Sequence, residues 1–167
     1  MSDYGAAGVS RDEGTRTVQL IREALKRVGN AARSPSETLN GFAALHELPG
    51  NPDILLASCC DGVGTKIELA LQFGRLQEAG QDCVAMCLND MVCHGARPLF
   101  FLDYLACDRL NAETAAELVS GIVRAAATCG ATLVGGETAE MPGVYTPGSY
   151  DVAGFAVGMV ERHEVIH

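Results

Sequence analysis

One junction constrains this chain more than any other stretch. The apolar run "ILLAS" (54–58) leads into the hexapeptide "DGVGTK" (61–66), and Lys66 to Phe73 read as a helix. A short apolar strand, two glycines and a helix start in succession require a strand-to-helix turn with a buried strand behind it. The turn is not a Walker loop, which needs glycine, four residues and then Gly-Lys-Ser/Thr. Here Gly62 stands two residues before Gly64, and the lysine follows Thr65. The ingredients of an anion site remain. Glycines let backbone N–H groups approach a phosphate, and a helix starting near Thr65 aims its positive end at one. Asp61 would repel that phosphate unless Mg2+ lay between them. Lys66 is one of two lysines in the chain, and it stands beside this turn. The same six residues also read as a tight turn whose glycines merely permit the geometry, and the hexapeptide alone leaves both readings open.

The rest of the chain mixes helices and strands. In residues 15–28, Val18, Ile21, Leu25 and Val28 share one helical face, with Arg22, Lys26 and Arg27 outside it. Residues 30–53 read as a loop broken by "GFAALHEL". A second helix is expected at about 81–94, closing on Gly95 with Pro98 beyond. "PLFFLDYLA" (98–106) reads as a strand, and Asn111 caps a long helix that runs through Cys129 and ends at Gly130. "ATLVG" is a strand, "GETAEMPGVYTPG" an extended loop, and "YDVAGFAVGMVE" a strand whose Gly154 and Gly158 mark bends or close backbone approach. Strict βαβ alternation is missing, so the expected class is α+β with a mixed sheet rather than a doubly wound nucleotide fold.

Composition narrows the function. The 167 residues suffice for one well-buried domain, and no shift in composition argues for two. The net charge of −9 argues against nucleic-acid and membrane surfaces, which need a basic footprint. An acidic protein that handles phosphates must use metal ions, backbone amides or a few placed cations. The N-terminus lacks a basic-then-apolar signal, and the seven cysteines follow no secreted spacing, so a reducing cytoplasm is expected. The final "ERHEVIH" resembles the opening of a further element, so the chain reads as a fragment.

Two further stretches carry chemistry. In "CVAMCLNDMVCHGA", Cys83, Met86, Cys87 and Asp90 fall near one helical face, and Asn89 and Asp90 interrupt an apolar run where an unpaired carboxylate is costly. They either reach solvent at the helix edge or serve a site. Cys93 and His94 lack the paired spacing of a zinc site, so these cysteines, with Cys59, Cys60, Cys107 and Cys129, read as small buried hydrophobes. In "GGETAEMPG", Gly136 and Glu137 follow a strand, and Glu137 is a stronger candidate than Glu140, which reads as part of a solvated turn. Asp103, inside "FFLDYL", reads as a strand-edge hydrogen-bond partner ahead of a functional residue. Asp61, Asp90 and Glu137 with Lys66 suit a site where Mg2+ bridges a nucleotide's phosphates to an acidic protein.

"DGVGTK", "AMCLNDMVCHGARPLFFLDYLA", "GGETAEMPG" and "YDVAGFAVGMVE", in that order, resemble the amino-terminal half of the phosphoribosylformylglycinamidine cyclo-ligase family, from about Tyr4 to the last residue. The resemblance implies a mixed sheet with helices packed on one face, and a homodimer in which two sheets pair into a barrel. It implies residues 1–167 as an amino-terminal ATP-binding and dimerisation domain, the family's carboxyl-terminal domain being absent from this chain. The implied activity is ATP-dependent closure of formylglycinamidine ribonucleotide to 5-aminoimidazole ribonucleotide in purine biosynthesis. By that likeness, Asp61, Gly62, Val63, Gly64, Thr65, Lys66, Asn89, Asp90, Gly136 and Glu137 hold ATP. Asp61, Asp90 and Glu137 hold Mg2+, and Lys66 meets phosphate charge as the catalytic residue. The half-chain alone is expected to be inactive. Alternatives are a related phosphotransferase with another acceptor and a noncatalytic dimerisation module. The chain departs from the family at Cys59-Cys60 (usually Gly-Thr), at "YGAAGVS" (usually "YKDAGVD") and at "NGFAAL" around Gly41 (usually "GGFGAL").

Overall fold

The computed structural model describes residues 4–28 and 41–166. Backbone contacts group the chain into two units, Met1–Pro35 and Ser36–His167, a boundary that composition does not announce. The first unit carries helix α1 (Arg11–Val28), which starts four residues before the apolar periodicity does. Ser10 explains the difference: its Oγ accepts from the Glu13 N–H at 3.2 Å, and Asp12 and Glu13 sit in the first turn, where the helix dipole favours acids. Val18 and Ile21 on the α1 apolar face are about half exposed; the Val28 side chain lies outside the described residues.

In the second unit, β1 (Ala44–Leu48), β2 (Asn51–Gly62), β3 (Arg97–Cys107), β4 (Thr132–Glu140) and β5 (Tyr150–Glu161) form one sheet in the order β1-β2-β5-β3-β4. Only the β3–β4 pair is parallel, with helix α4 (Ala112–Thr128) as its crossover. Helices α2 (Lys66–Phe73) and α3 (Leu76–Val92) bridge β2 to β3. The fold is therefore α+β with a mixed sheet. No described helix is long and apolar enough to cross a membrane.

Three boundaries differ from the sequence reading. Strand β2 extends past Ser58 through Asp61 and Gly62, which pair with Gly154 and Ala153 of β5. The first two residues of the hexapeptide are thus strand rather than turn. Helix α3 begins at Leu76, not near 81, because Gly80 is a packing residue and not a stop. A Cβ there would collide with the Leu118 carbonyl, and a Cβ at Gly121 with that of Gln77, so α3 and α4 cross backbone to backbone. Strand β4 continues to Glu140, where an extended loop was expected from Gly136. Pairing with β3 outweighs the low strand propensity of "GGE". In residues 30–53, positions 30–40 lie outside the described residues, and the remainder supplies β1 and the start of β2.

Alternation on β5 sorts the sheet into two faces. Val152, Gly154, Ala156, Gly158 and Val160 are buried against the helices, whereas Phe155 and Met159 are about 40% exposed on the other side. The core of Phe101, Leu105, Val84, Met91, Leu118 and Ile122 is wholly buried, each large side chain contributing roughly 1.5–3 kcal/mol. Helix α3 reaches the sheet because β5 offers glycines. A Cβ at Gly154 would strike Phe101 and lie 3.0 Å from the Cys87 sulfur, and one at Gly158 would strike the Arg97 carbonyl. Of the two sequence readings for these glycines, close approach is the one realised.

Candidate functional site

Register sets the geometry. Residues directly opposite share a face, so Asp61, Gly154, Asp103 and Gly136 form one row across β2, β5, β3 and β4 on the helix side. The next row, Gly62, Ala153, Tyr104 and Glu137, lies on the opposite face. Asp61 is the penultimate residue of β2, its Oδ1 accepting the Gly62 N–H at 2.7 Å. Val63 is buried, and its N–H donates to the Val152 carbonyl at 3.0 Å, which pins the chain before it turns. Gly64 makes the turn at φ +66°, a left-handed conformation that favours glycine. Thr65 then opens α2 without a side-chain cap, leaving its hydroxyl outside the helix's own bonding.

Asp90 sits in the last turn of α3, half-buried, with Asn89 exposed beside it. Burial raises the Asp90 carboxyl above its ordinary 3.8, repulsion from Asp61 raises it further, and His94 acts in the opposite sense. Asp61, on the helix side of β2, and Asp90, in the last turn of the α3 that packs on it, are thus near enough to repel. Neither joins an ion pair among the described residues. Such a pair is what a cation relieves.

The other candidates stand apart. Lys66 is held by Asp82 at 2.9 Å, with its Nζ 3.5 Å from the Met86 sulfur, along the same face of α3 that leads to Asp90. Both partners are about half exposed, so this pair is weak and exchangeable. Glu137 is exposed, on the face opposite to Asp61 and three strands away. Among the described residues, no group of three His, Cys, Asp or Glu is arranged to hold a metal ion. Gly136 makes room: a Cβ there would collide with the Asp103 carboxylate. Asp103 itself is only 8% exposed, and burial raises its carboxyl above 3.8.

The cysteines are all free thiols, and the zinc-like set does not assemble. Cys83 and Cys87 are buried beneath α3, whereas Cys93 is exposed at its end. Burial pushes the Cys83 thiol well up. Cys59, on β2, donates to the Cys87 carbonyl at 3.0 Å. The nearness of Cys87 lowers the Cys59 thiol, and that of Cys59, with burial, raises the Cys87 thiol. His94 carries the one buried side-chain N or O atom without a partner among the described residues, its Nε2. The Gly41 backbone packs on that ring so closely that a Cβ would come within 2.6 Å of it.

Sequence reasoning missed Asp82 and the Cys59–Cys87 contact, neither of which has a local signature. It did notice Asp103, as a charge inside an apolar strand. A groove of about 530 Å³ between α3 and α4, lined by Gln77, Gln81, Arg124 and Cys129 among others, contains none of the candidate residues.

Comparison with known proteins places this geometry in context. Residues 42–160 match the family described as AIR synthase related protein, N-terminal domain. The chain is 48% identical over 166 residues to phosphoribosylformylglycinamidine cyclo-ligase of Fusobacterium nucleatum, an alignment covering 99% of this chain and 48% of that protein. It spans about half the length of the curated relatives it matches. The fold is similar to that of AaThiL complexed with AMPPCP and TMP, with a TM-score of 0.69 at 18% identity, over 87% of this chain and 41% of the other. It is also similar to T. maritima PurL complexed with ADP, with a TM-score of 0.57 at 19% identity, over 75% and 19%.

Proposed function

This chain belongs to the AIR synthase related protein family, through that family's N-terminal domain, and from that premise we propose that it is the nucleotide-binding half of a cytoplasmic phosphoribosylformylglycinamidine cyclo-ligase. The reaction is ATP-dependent ring closure on formylglycinamidine ribonucleotide. ATP phosphorylates the formyl amide oxygen, making an iminophosphate. The amidine nitrogen attacks the activated carbon, phosphate leaves, and 5-aminoimidazole ribonucleotide and ADP remain. The protein's share is positioning and charge neutralisation.

The single observation that carries the reading is the placement of Asp61, on the helix side of β2, beside the last turn of α3 that carries Asp90, with the Cys59 contact to the Cys87 carbonyl holding strand and helix together. That donor set fits Mg2+, a hard cation held by one or two carboxylates together with phosphate oxygens. When bound, Mg2+ would neutralise charge between the triphosphate and these acids. Lys66 exchanges Asp82 for a phosphate oxygen at little cost, since the surface pair is weak. The backbone at Gly64, Thr65 and the start of α2 faces the anion with the helix dipole behind it. Asn89 contacts the nucleotide at the exposed edge of α3. Glu137, on the far face, takes part only if a nucleotide or a second ion reaches round β4, or if a second copy completes that face. The half-exposed apolar face carrying Phe155 and Met159 supports a homodimer in which two sheets close on each other.

Calorimetric titration of Mg2+–ATP into the chain is the test. Asp90→Asn is expected to weaken binding about tenfold or more while leaving thermal stability unchanged or raised, because the repulsion is gone. Unaltered affinity in that variant overturns the acid-pair site. Sedimentation of the chain tests the second part, and a monomer at high concentration overturns the paired sheets.

A further inference from the structure

We propose that Cys59 and Cys87 form a reversible disulfide that clasps β2 to α3 and disables the acid pair. The two residues meet across the interface between the strand that ends in Asp61 and the helix that ends near Asp90. The Cys59 thiol already points at Cys87, donating to its carbonyl oxygen at 3.0 Å. The Cys87 sulfur lies over Gly154, where no side chain intervenes; a Cβ there would come within 3.0 Å of it. Gly154 pairs with Asp61 and Ala156 with Cys59, so the Cys87 sulfur sits diagonally across the sheet surface from Cys59. Cys59 is partly exposed and Cys87 is wholly buried, so a small reagent reaches Cys59 first and the neighbouring Cys87 is shielded from it.

The co-reactant is a low-molecular-weight disulfide. The Cys59 thiolate attacks one sulfur of that disulfide, forming a mixed disulfide and expelling one small thiolate. Cys87 gives up its proton as its sulfur attacks Cys59, forming the S–S bond and expelling the second small group, which takes that proton and leaves as a thiol. The protein loses two hydrogens and the reagent gains two, as protons and electrons. To form the bond, Cys59 gives up its hydrogen bond to the α3 carbonyl, and the strand and helix are drawn to a fixed separation. Asp61 lies two residues beyond Cys59, and Asp90 one helical turn beyond Cys87, so the clasp moves both acids.

The consequence for nucleotide rests on the proposed Mg2+–ATP site, whereas the bond itself does not. The chain is therefore incubated with oxidised glutathione, alkylated and mapped by peptide mass spectrometry, with parallel calorimetry using Mg2+–ATP before and after oxidation. The expected result is a crosslink between the Cys59 and Cys87 peptides that dithiothreitol removes, and affinity about tenfold lower in the oxidised form. Cys59→Ala is expected to abolish the crosslink and the response, whereas Cys60→Ala retains both. Glutathione adducts without the Cys59–Cys87 crosslink overturn the clasp. A crosslink that leaves measurable nucleotide affinity unchanged overturns its control of the site. If the reduced chain binds no nucleotide at all, the crosslink map still decides the clasp, and the calorimetry counts against the function reading instead.

Discussion

The α3–α4 crossing and the strand end and turn from Asp61 to Lys66 each carry a pair of glycines, for opposite reasons. At the crossing, Gly80 and Gly121 are surrounded, and any Cβ would meet the backbone of the other helix. At the turn, nothing lies within 4 Å of a Cβ on Gly64, and one on Gly62 would meet only ordinary contacts. One pair is required by what is already there. The other stands in open space, and Gly64 is required by its left-handed backbone instead. The sequence spelling of the two pairs does not reveal the distinction.

The largest expected effect breaks the crowded side. Gly121→Ala drives a methyl into the Gln77 backbone, so the helices must part, and denaturant titration is expected to show a loss of about 3 kcal/mol. A loss below that of a routine surface change would mean the helices shift freely, and the contrast would fail. On the open side, Gly64→Ala has room but the wrong backbone, φ +66°, and is expected to cost only about 1 kcal/mol by the same measurement.

A smaller effect is read by pH at Asp103, in the same row of the sheet as Asp61. Burial raises the Asp103 carboxyl above its unfolded value near 3.8, so the folded state holds its proton more tightly. That group therefore opposes folding increasingly as pH rises from about 3.8 through its folded value, and the penalty vanishes below 3.8. Asp103→Asn is expected to raise the melting temperature at neutral pH and to leave it unchanged at pH 3.5 or below. An equal shift at both would assign the effect to packing against Gly136 rather than to charge.

Much of the fold was legible because each element carried its own punctuation. Asn111 Oδ1 accepts the Thr114 N–H at 2.8 Å, as a capping residue before an apolar helix should. Helix α2 spans the residues expected of it and ends at a left-handed Gly74. The elements misread were those set by partners distant in sequence. Strand β4 owes its length to β3, and the first turn of α3 depends on a glycine fitted to α4. The candidate acids could be named from the sequence, but their arrangement could not. A single step along β4 puts Gly136 beside Asp103 and Glu137 on the other face, and only the register with β3 decides which is which. Lys66 stood out for its rarity, yet its present partner, Asp82, is sixteen residues away and has no motif.

Strand β5 comes after the other described strands along the chain, yet it is the middle one of the sheet. As the chain leaves the ribosome, β1–β2 and β3–α4–β4 emerge as separate pieces, each with a bare strand edge waiting for the same late segment. The acid pair sits where the first piece meets α3, so its arrangement is expected to be stable only after β5 slots between β2 and β3. Newly made chains pass through an interval with two sticky edges, and retarded elongation in the stretch before Tyr150 would lengthen that exposure and raise the aggregated fraction.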